Sequence, residues 1–212
     1  VLMKSIPLNF QEHKYAFVIF NFLERKIVDL YPSRKKYHVL DDLIRIPQSE
    51  RDQVSYIVID MWETYKTLAK SLFKNARIAV DSFHVIKHLN DAIIKIRLKT
   101  MRKYDSRTDK LVDNHIFYYM MKKFHYFFTK DFETIYSGPI RIPKLKTKWD
   151  KHAILRFLLT LDPDLEYVYH LKERYREFNK AATEFNARDE FIPLLNSFLN
   201  SHLEEFREFG RL

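Results

Sequence analysis

The chain has 212 residues, 46% of them hydrophobic and 16% aromatic, which suits one packed domain, or one domain interrupted by a second. With 37 Lys and Arg against 28 Asp and Glu it carries a net charge of +9, which favours a polyanionic partner because phosphates taken up by a protein release their counterions. Two glycines and no cysteines exclude glycine-rich nucleotide loops, disulfides and thiolate metal sites, and no apolar run reaches the ~20 residues of a membrane span, so a cytoplasmic protein without a membrane partner is expected.

Tyr15–Phe20 and Lys26–Tyr31 are short apolar runs joined by a polar link and closed by Pro32, the pattern of a β-hairpin. From Lys36 to Ile46, Val39, Leu40, Leu43 and Ile44 share a helical face, and Pro47 ends it. Tyr56–Ile59 is wholly apolar, as strands buried on both faces are. A helix from Trp62 to Phe73 follows, then a strand at Ala76–Val80, and this strand–helix–strand passage predicts a parallel crossover. Beyond His84 the period becomes helical: Val85–Arg102, Lys110–Tyr126, Lys151–Leu161, Pro163–Phe178 and Arg188–Phe209 read as helices. Gly138–Lys148 reads as a loop broken by Pro139 and Pro143, and no β-hairpin is expected in this half. The fold class is therefore α/β plus all-α, predominantly helical, with residues 1–86 forming the mixed sheet unit and 87–212 the helical region.

Chemistry in open α/β sheets gathers at the carboxyl ends of the strands, where Asp60 and Asp81 stand. A carboxylate held rigidly there suits a hard cation such as Mg²⁺ or Mn²⁺. Capping the following helix is the commoner role for such an aspartate, and the two roles are compatible. Asp81 with His84 supplies two candidate ligands, short of the three or four that zinc takes, so a helix cap is again the commoner role. Bases crowd two segments: Lys87, Lys95 and Arg97 in the first long helix, and Arg141, Lys144, Lys146 and Lys148 in the proline-broken loop. They are candidates for clamping a phosphate backbone, against the plain reading of a solvated face; Trp149 beside them reads as core.

The run I-V-I-D-M-W-E-T-Y, with A-R-I-A-V-D-S-F-H-V-I-K-H-L-N about twenty residues on, resembles DDE transposases of the ISL-three type. K-Y-A-F-V-I-F-N with K-I-V-D-L-Y-P-S-R resembles that family's early hairpin, and L-D-P-D-L-E-Y-V-Y-H-L-K-E-R-Y-R-E-F its helical region. The resemblance implies an RNase H-like core. In that core three acids hold two divalent metals, Mg²⁺ or Mn²⁺, for attack on a DNA phosphodiester during cleavage and strand transfer at insertion-sequence ends. Asp60 matches the second acid and is the one catalytic and metal-binding residue assigned. Asp81 and His84 match the aspartate–histidine motif beside the site.

The departures are as informative. Where the first acid is expected the chain has Val1-Leu2-Met3-Lys4-Ser5, with no acid before Glu12, and no stretch like the one bearing the last Glu occurs before Leu212. The expectation is a partial RNase H-like unit followed by a helical insertion, a fragment inactive by itself. Its central first strand would be missing, with at most Val1–Met3 as a remnant, and the gap or exposed edge left behind admits a homodimer. The alternatives are a non-enzymatic basic DNA-binding or dimerisation module, and a basic helical protein-interaction domain.

Overall fold

A computed structural model describes residues 1–7, 15–105 and 114–212. These form two compact units, Val1–Val85 and Ile86–Leu212.

The first unit is a five-stranded mixed sheet. Its strands are β1 (Leu2–Pro7), β2 (Tyr15–Asn21), β3 (Lys26–Tyr31), β4 (Tyr56–Ile59) and β5 (Arg77–Val80), in the order β3-β2-β1-β4-β5. Strands β1, β2 and β3 pair antiparallel, whereas β1, β4 and β5 pair parallel. The hairpin and the parallel pair are as the sequence predicts. The missing central strand is not: β1 occupies that place, hydrogen-bonded on both sides, so the expected gap does not form and the sheet ends at β3 and β5. Strand β1 forms because Met3 fills the core while the backbones of β2 and β4 take up its polar groups, a tertiary effect that a six-residue segment does not announce.

One sheet face carries the core. Met3, Phe17, Ile19, Ile57 and Ile59 alternate inward along their strands and meet two helices, α1 (Lys36–Ile44) and α3 (Glu63–Leu72). Helix α3 buries Tyr65, Leu68, Ala69 and Leu72, a spacing of i, i+3, i+4 and i+7 that makes one apolar stripe. Phe17 is at the centre, its ring 5.8 Å from Tyr31 and 5.1 Å from Tyr65. A single turn, α2 (Gln48–Arg51), begins at Pro47, which ends the helix predicted to run through Ile46 two residues after α1 has stopped.

The second unit contains α4 (Ser82–Lys103, which begins in the first unit), α5 (Asn114–Lys123), α6 (Lys151–Thr160), α7 (Pro163–Ala181), α8 (Ala187–Leu199) and α9 (Glu204–Gly210). The predicted helix from Lys110 has its first four residues, 110–113, outside the described residues, and its end tightens into a 3₁₀ turn at His125–Phe128. The single helix predicted over Arg188–Phe209 is two, because the chain leaves the helix at Asn200 and Ser201 before restarting at Glu204. A two-stranded hairpin, β6 (Pro139–Ile142) and β7 (Thr147–Asp150), replaces the predicted loop. Pro139 opens the first strand and Pro143 opens the 3₁₀ turn between them, positions where a missing N–H costs nothing. Lys146 closes the turn in the left-handed region at φ 53°.

Two devices brace this unit. Asp150 caps α6 by accepting from the His152 N–H at 2.8 Å, while its other oxygen takes the Gly138 N–H at 2.8 Å and the Ser137 hydroxyl at 2.9 Å. These bonds, the Gly138 N–H first, hold its carboxyl down at about 2. Along α7, Lys172, Arg176 and Lys180 point at one turn: Lys172 donates to the Lys130 carbonyl at 2.5 Å, Arg176 to the Thr129 carbonyl at 2.7 Å, and Lys180 pairs with Glu133 at 2.5 Å. No described helix is long and apolar enough to cross a membrane.

Candidate functional site

The acids of the first unit stand where β4 and β5 end. Ile59 and Val80 pair across the two strands, so the next residues, Asp60 and Asp81, are level, and the Asp81 N–H donates to the Ile59 carbonyl at 2.7 Å. Asp60 follows the last residue of β4 and is half-buried, near enough to the core residue Tyr65 for its charge to act on that hydroxyl. Each aspartate closes a small turn by accepting from the N–H two residues on: Asp60 from Trp62 at 3.0 Å, Asp81 from Phe83 at 3.0 Å. Asp60 is thus not the formal cap of α3, which starts after Trp62 with no side-chain cap. His84 lies one helical turn beyond Asp81, its Nε2 3.9 Å from the carboxylate and without a hydrogen bond.

Sequence reasoning missed the surroundings of Asp60. Arg34 lies over the Tyr15 ring at 3.8 Å and the Trp62 ring at 5.1 Å, a cation beside the turn that Asp60 closes. Tyr65 is fully buried, and its hydroxyl is pushed up to about 12. Burial is the main cause; Ser5 acts against it, the Asp60 charge adds to it, and Arg34 opposes it. Among the described residues, no three acidic, histidine or cysteine side chains are grouped so as to hold a metal ion.

The bases of the second unit differ in availability. Arg97 is buried on the inward face of α4, with Ile93, Ile96, Thr100 and Met101, and donates to the Met121 carbonyl at 3.1 Å. It is a structural residue and not a surface cation, a correction the helical period explains: 93, 96, 97, 100 and 101 form one stripe. Further along α4, Lys99 pairs with Glu205 and Lys103 with Asp162. Lys87 and Lys95 are exposed.

The hairpin gathers the other bases on one side. Arg141 stands directly across from Lys148, and both are exposed, whereas Ile142 is buried and Ile140 and Trp149 are half-buried. Trp149 packs edge-on against Phe157 at 5.4 Å. Lys144 donates to the His115 carbonyl at 3.1 Å and remains exposed, as does Lys146. Among the described residues no carboxylate pairs with Arg141, Lys144, Lys146 or Lys148.

The chain matches no curated protein and no solved structure. It does match a family model described as "Transposase", that of the ISL-three type of DDE transposases, over residues 8–212. The chain belongs to the ISL-three family of DDE transposases.

Proposed function

We propose that this chain is a DNA-engaging part of a transposase that acts at insertion-sequence ends. It grips the phosphate backbone with the basic hairpin and carries in its sheet unit part of an RNase H-like reaction centre, in which Asp60 is the assigned acid. The hairpin carries this reading. Like charges directly opposite on a ribbon destabilise it, so Arg141 facing Lys148 costs stability in the free chain. A polyanion offsets that cost, and a two-stranded ribbon is narrow enough to enter the major groove. Exposed Lys87 and Lys95 are further candidate contacts. The sheet order, an antiparallel hairpin beside parallel strands with acids at their ends, supports the RNase H-like reading.

Transposases of this family use divalent metal ions. The described residues do not fit a two-metal centre, because Asp60 has only Asp81 as an acidic neighbour at the strand ends and both spend an oxygen on backbone N–H groups. No cutting by the chain alone is the expectation. DNA affinity should fall steeply with salt, and reversing Lys144, Lys146 and Lys148 to Glu should flatten log K against log salt by about one unit for each phosphate no longer neutralised. An unchanged slope would refute the hairpin's role. Nicking of end-containing DNA that needs Mg²⁺ and is abolished by Asp60→Ala would refute the inactivity. A non-enzymatic DNA-binding module shares the salt dependence, and a protein-interaction domain would show none.

A further inference from the structure

Strands β1, β3, β4 and β5 run in one direction and β2 against them, so four carboxyl ends and the start of β2 share one edge of the sheet. Asp60 follows β4 at that edge, Tyr15 opens β2 there, and Arg34 comes shortly after β3 ends at Tyr31. The Arg34 guanidinium lies over two rings, 3.8 Å from the centre of Tyr15 and 5.1 Å from that of Trp62. Trp62 is itself fixed, since its N–H donates to the Asp60 carboxylate at 3.0 Å and its ring meets Tyr65 edge-on at 4.7 Å. Tyr65 in turn packs against Phe17 in the core, 5.1 Å between centres.

We infer that Arg34 is a phosphate-binding residue of this edge, held ready in the free chain to seat a DNA phosphate beside Asp60. The inference rests on the proposed reading of the chain as a DNA-engaging one. Stacking uses the face of a guanidinium and leaves the N–H donors in its plane, the fork that matches two phosphate oxygens. Two other cations of the sheet unit are already spent: Arg51 is buried and donates to the Leu72 carbonyl, and Lys66 pairs with Glu63. Arg34 is half-buried, yet among the described residues no carboxylate or carbonyl takes up its donors. A phosphodiester approaching Asp60 and Asp81 meets two like charges, and a fixed cation at the same edge offsets that repulsion. Asp60 and Arg34 share this neighbourhood closely enough for both to act on the Tyr65 hydroxyl, with opposite sign. Because the rings hold the side chain, little rotamer freedom is left to lose when a phosphate binds.

The test is a short fluorescein-labelled DNA duplex, titrated with the full chain and followed by anisotropy at several salt concentrations. Arg34→Gln keeps a planar side chain beside the rings and removes the charge. Affinity at low salt should fall several-fold, and the slope of log K against log salt should flatten by about one unit. Arg34→Lys keeps the charge without the fork, so the slope should hold while affinity falls less. Asp60→Asn removes a like charge beside the phosphate and should tighten binding several-fold, a gain that should vanish when it is combined with Arg34→Gln. An Arg34→Gln chain with a wild-type circular dichroism spectrum and an unchanged slope overturns the inference. So does an Asp60→Asn gain that survives in the double variant. Arg34→Lys guards against a misfolded Arg34→Gln chain, and wild-type affinity in Arg34→Lys also overturns the inference. A slope flattened by reversing Lys144, Lys146 and Lys148 but not by Arg34→Gln sinks this inference and leaves the hairpin reading standing. Binding with no salt dependence sinks both.

Discussion

In the sheet unit, Asp60 and Asp81 follow strands whose inward residues are in the core: Ile57 and Ile59 are buried, and the strands are paired along their length. In the helical unit, Arg141 and Lys148 stand on strands of four residues, joined by a proline turn and facing each other with like charge. The first arrangement holds its charges by burial of what lies beneath them. The second holds them against their own repulsion, with Ile142, Ile140 and Trp149 turned inward and Asp150 and Lys144 bonded to neighbouring backbone. Charges of one sign, gathered with no carboxylate paired to them among the described residues, are offset by a polyanion, which is the ground for the proposed DNA contact of the hairpin.

The largest expected effect tests whether the two regions are separately built. Phe17→Ala removes a fully buried ring from the sheet core and should cost about 3–5 kcal/mol. The chain has two tryptophans, Trp62 in the sheet unit and Trp149 in the hairpin, so fluorescence of single-tryptophan versions follows each region during denaturant unfolding. The Trp62 transition should move to lower denaturant and the Trp149 transition stay in place. If both move together, the two regions unfold as one and their contrast is not a contrast between independent structures.

Much of the sheet unit was legible because its strands are runs of apolar, often β-branched residues with turn residues between them. Tyr56–Ile59 and the hairpin from Tyr15 announce themselves by local composition. Leu2–Pro7 does not, since two of its residues, Lys4 and Ser5, are polar and its identity as a strand comes from neighbours on both sides. With it the sequence hid the central place of β1, because register is a relation between segments far apart in the chain. The hairpin at Pro139–Asp150 did leave a trace: Ile140 and Ile142, then Thr147 and Trp149, alternate with Arg141 and Lys148 at period two. The prolines and lysines masked it. Arg97 is legible too, since at helical period it falls on the buried stripe of Ile93, Ile96 and Met101.

A second effect is expected from Lys172, a fully buried lysine whose ammonium burial pulls down to about 8 against the favourable pull of Glu173, 2.6 Å away. The folded pKa lies below the ordinary 10.5. Between about pH 8 and 10.5 the unfolded chain therefore binds more protons than the folded one, and this group's contribution to stability rises with pH across that window. Its magnitude is on the order of 3 kcal/mol. Lys172→Met should remove that rise, read from urea midpoints for Trp149 at several pH values. The Trp62 transition should show no such change. A rise that survives the substitution would mean another group sets it.

The smallest effect is the most discriminating, because it has opposite signs in the free and bound chain. Arg141→Thr removes one member of the like-charged pair and leaves a β-branched residue suited to a strand. It should stabilise the hairpin by about 0.2–1 kcal/mol, seen as a later Trp149 transition, because the repulsion from Lys148 is gone. The same variant should bind duplex DNA more weakly at every sequence, with a shallower salt slope, because one phosphate is no longer neutralised. A variant that loses both stability and affinity would make Arg141 a structural residue, as Arg97 is. One that gains stability and keeps affinity would free the hairpin from any role in DNA binding. Only the crossed result, more stable and weaker in binding, ties the repulsion across the ribbon to the partner that offsets it.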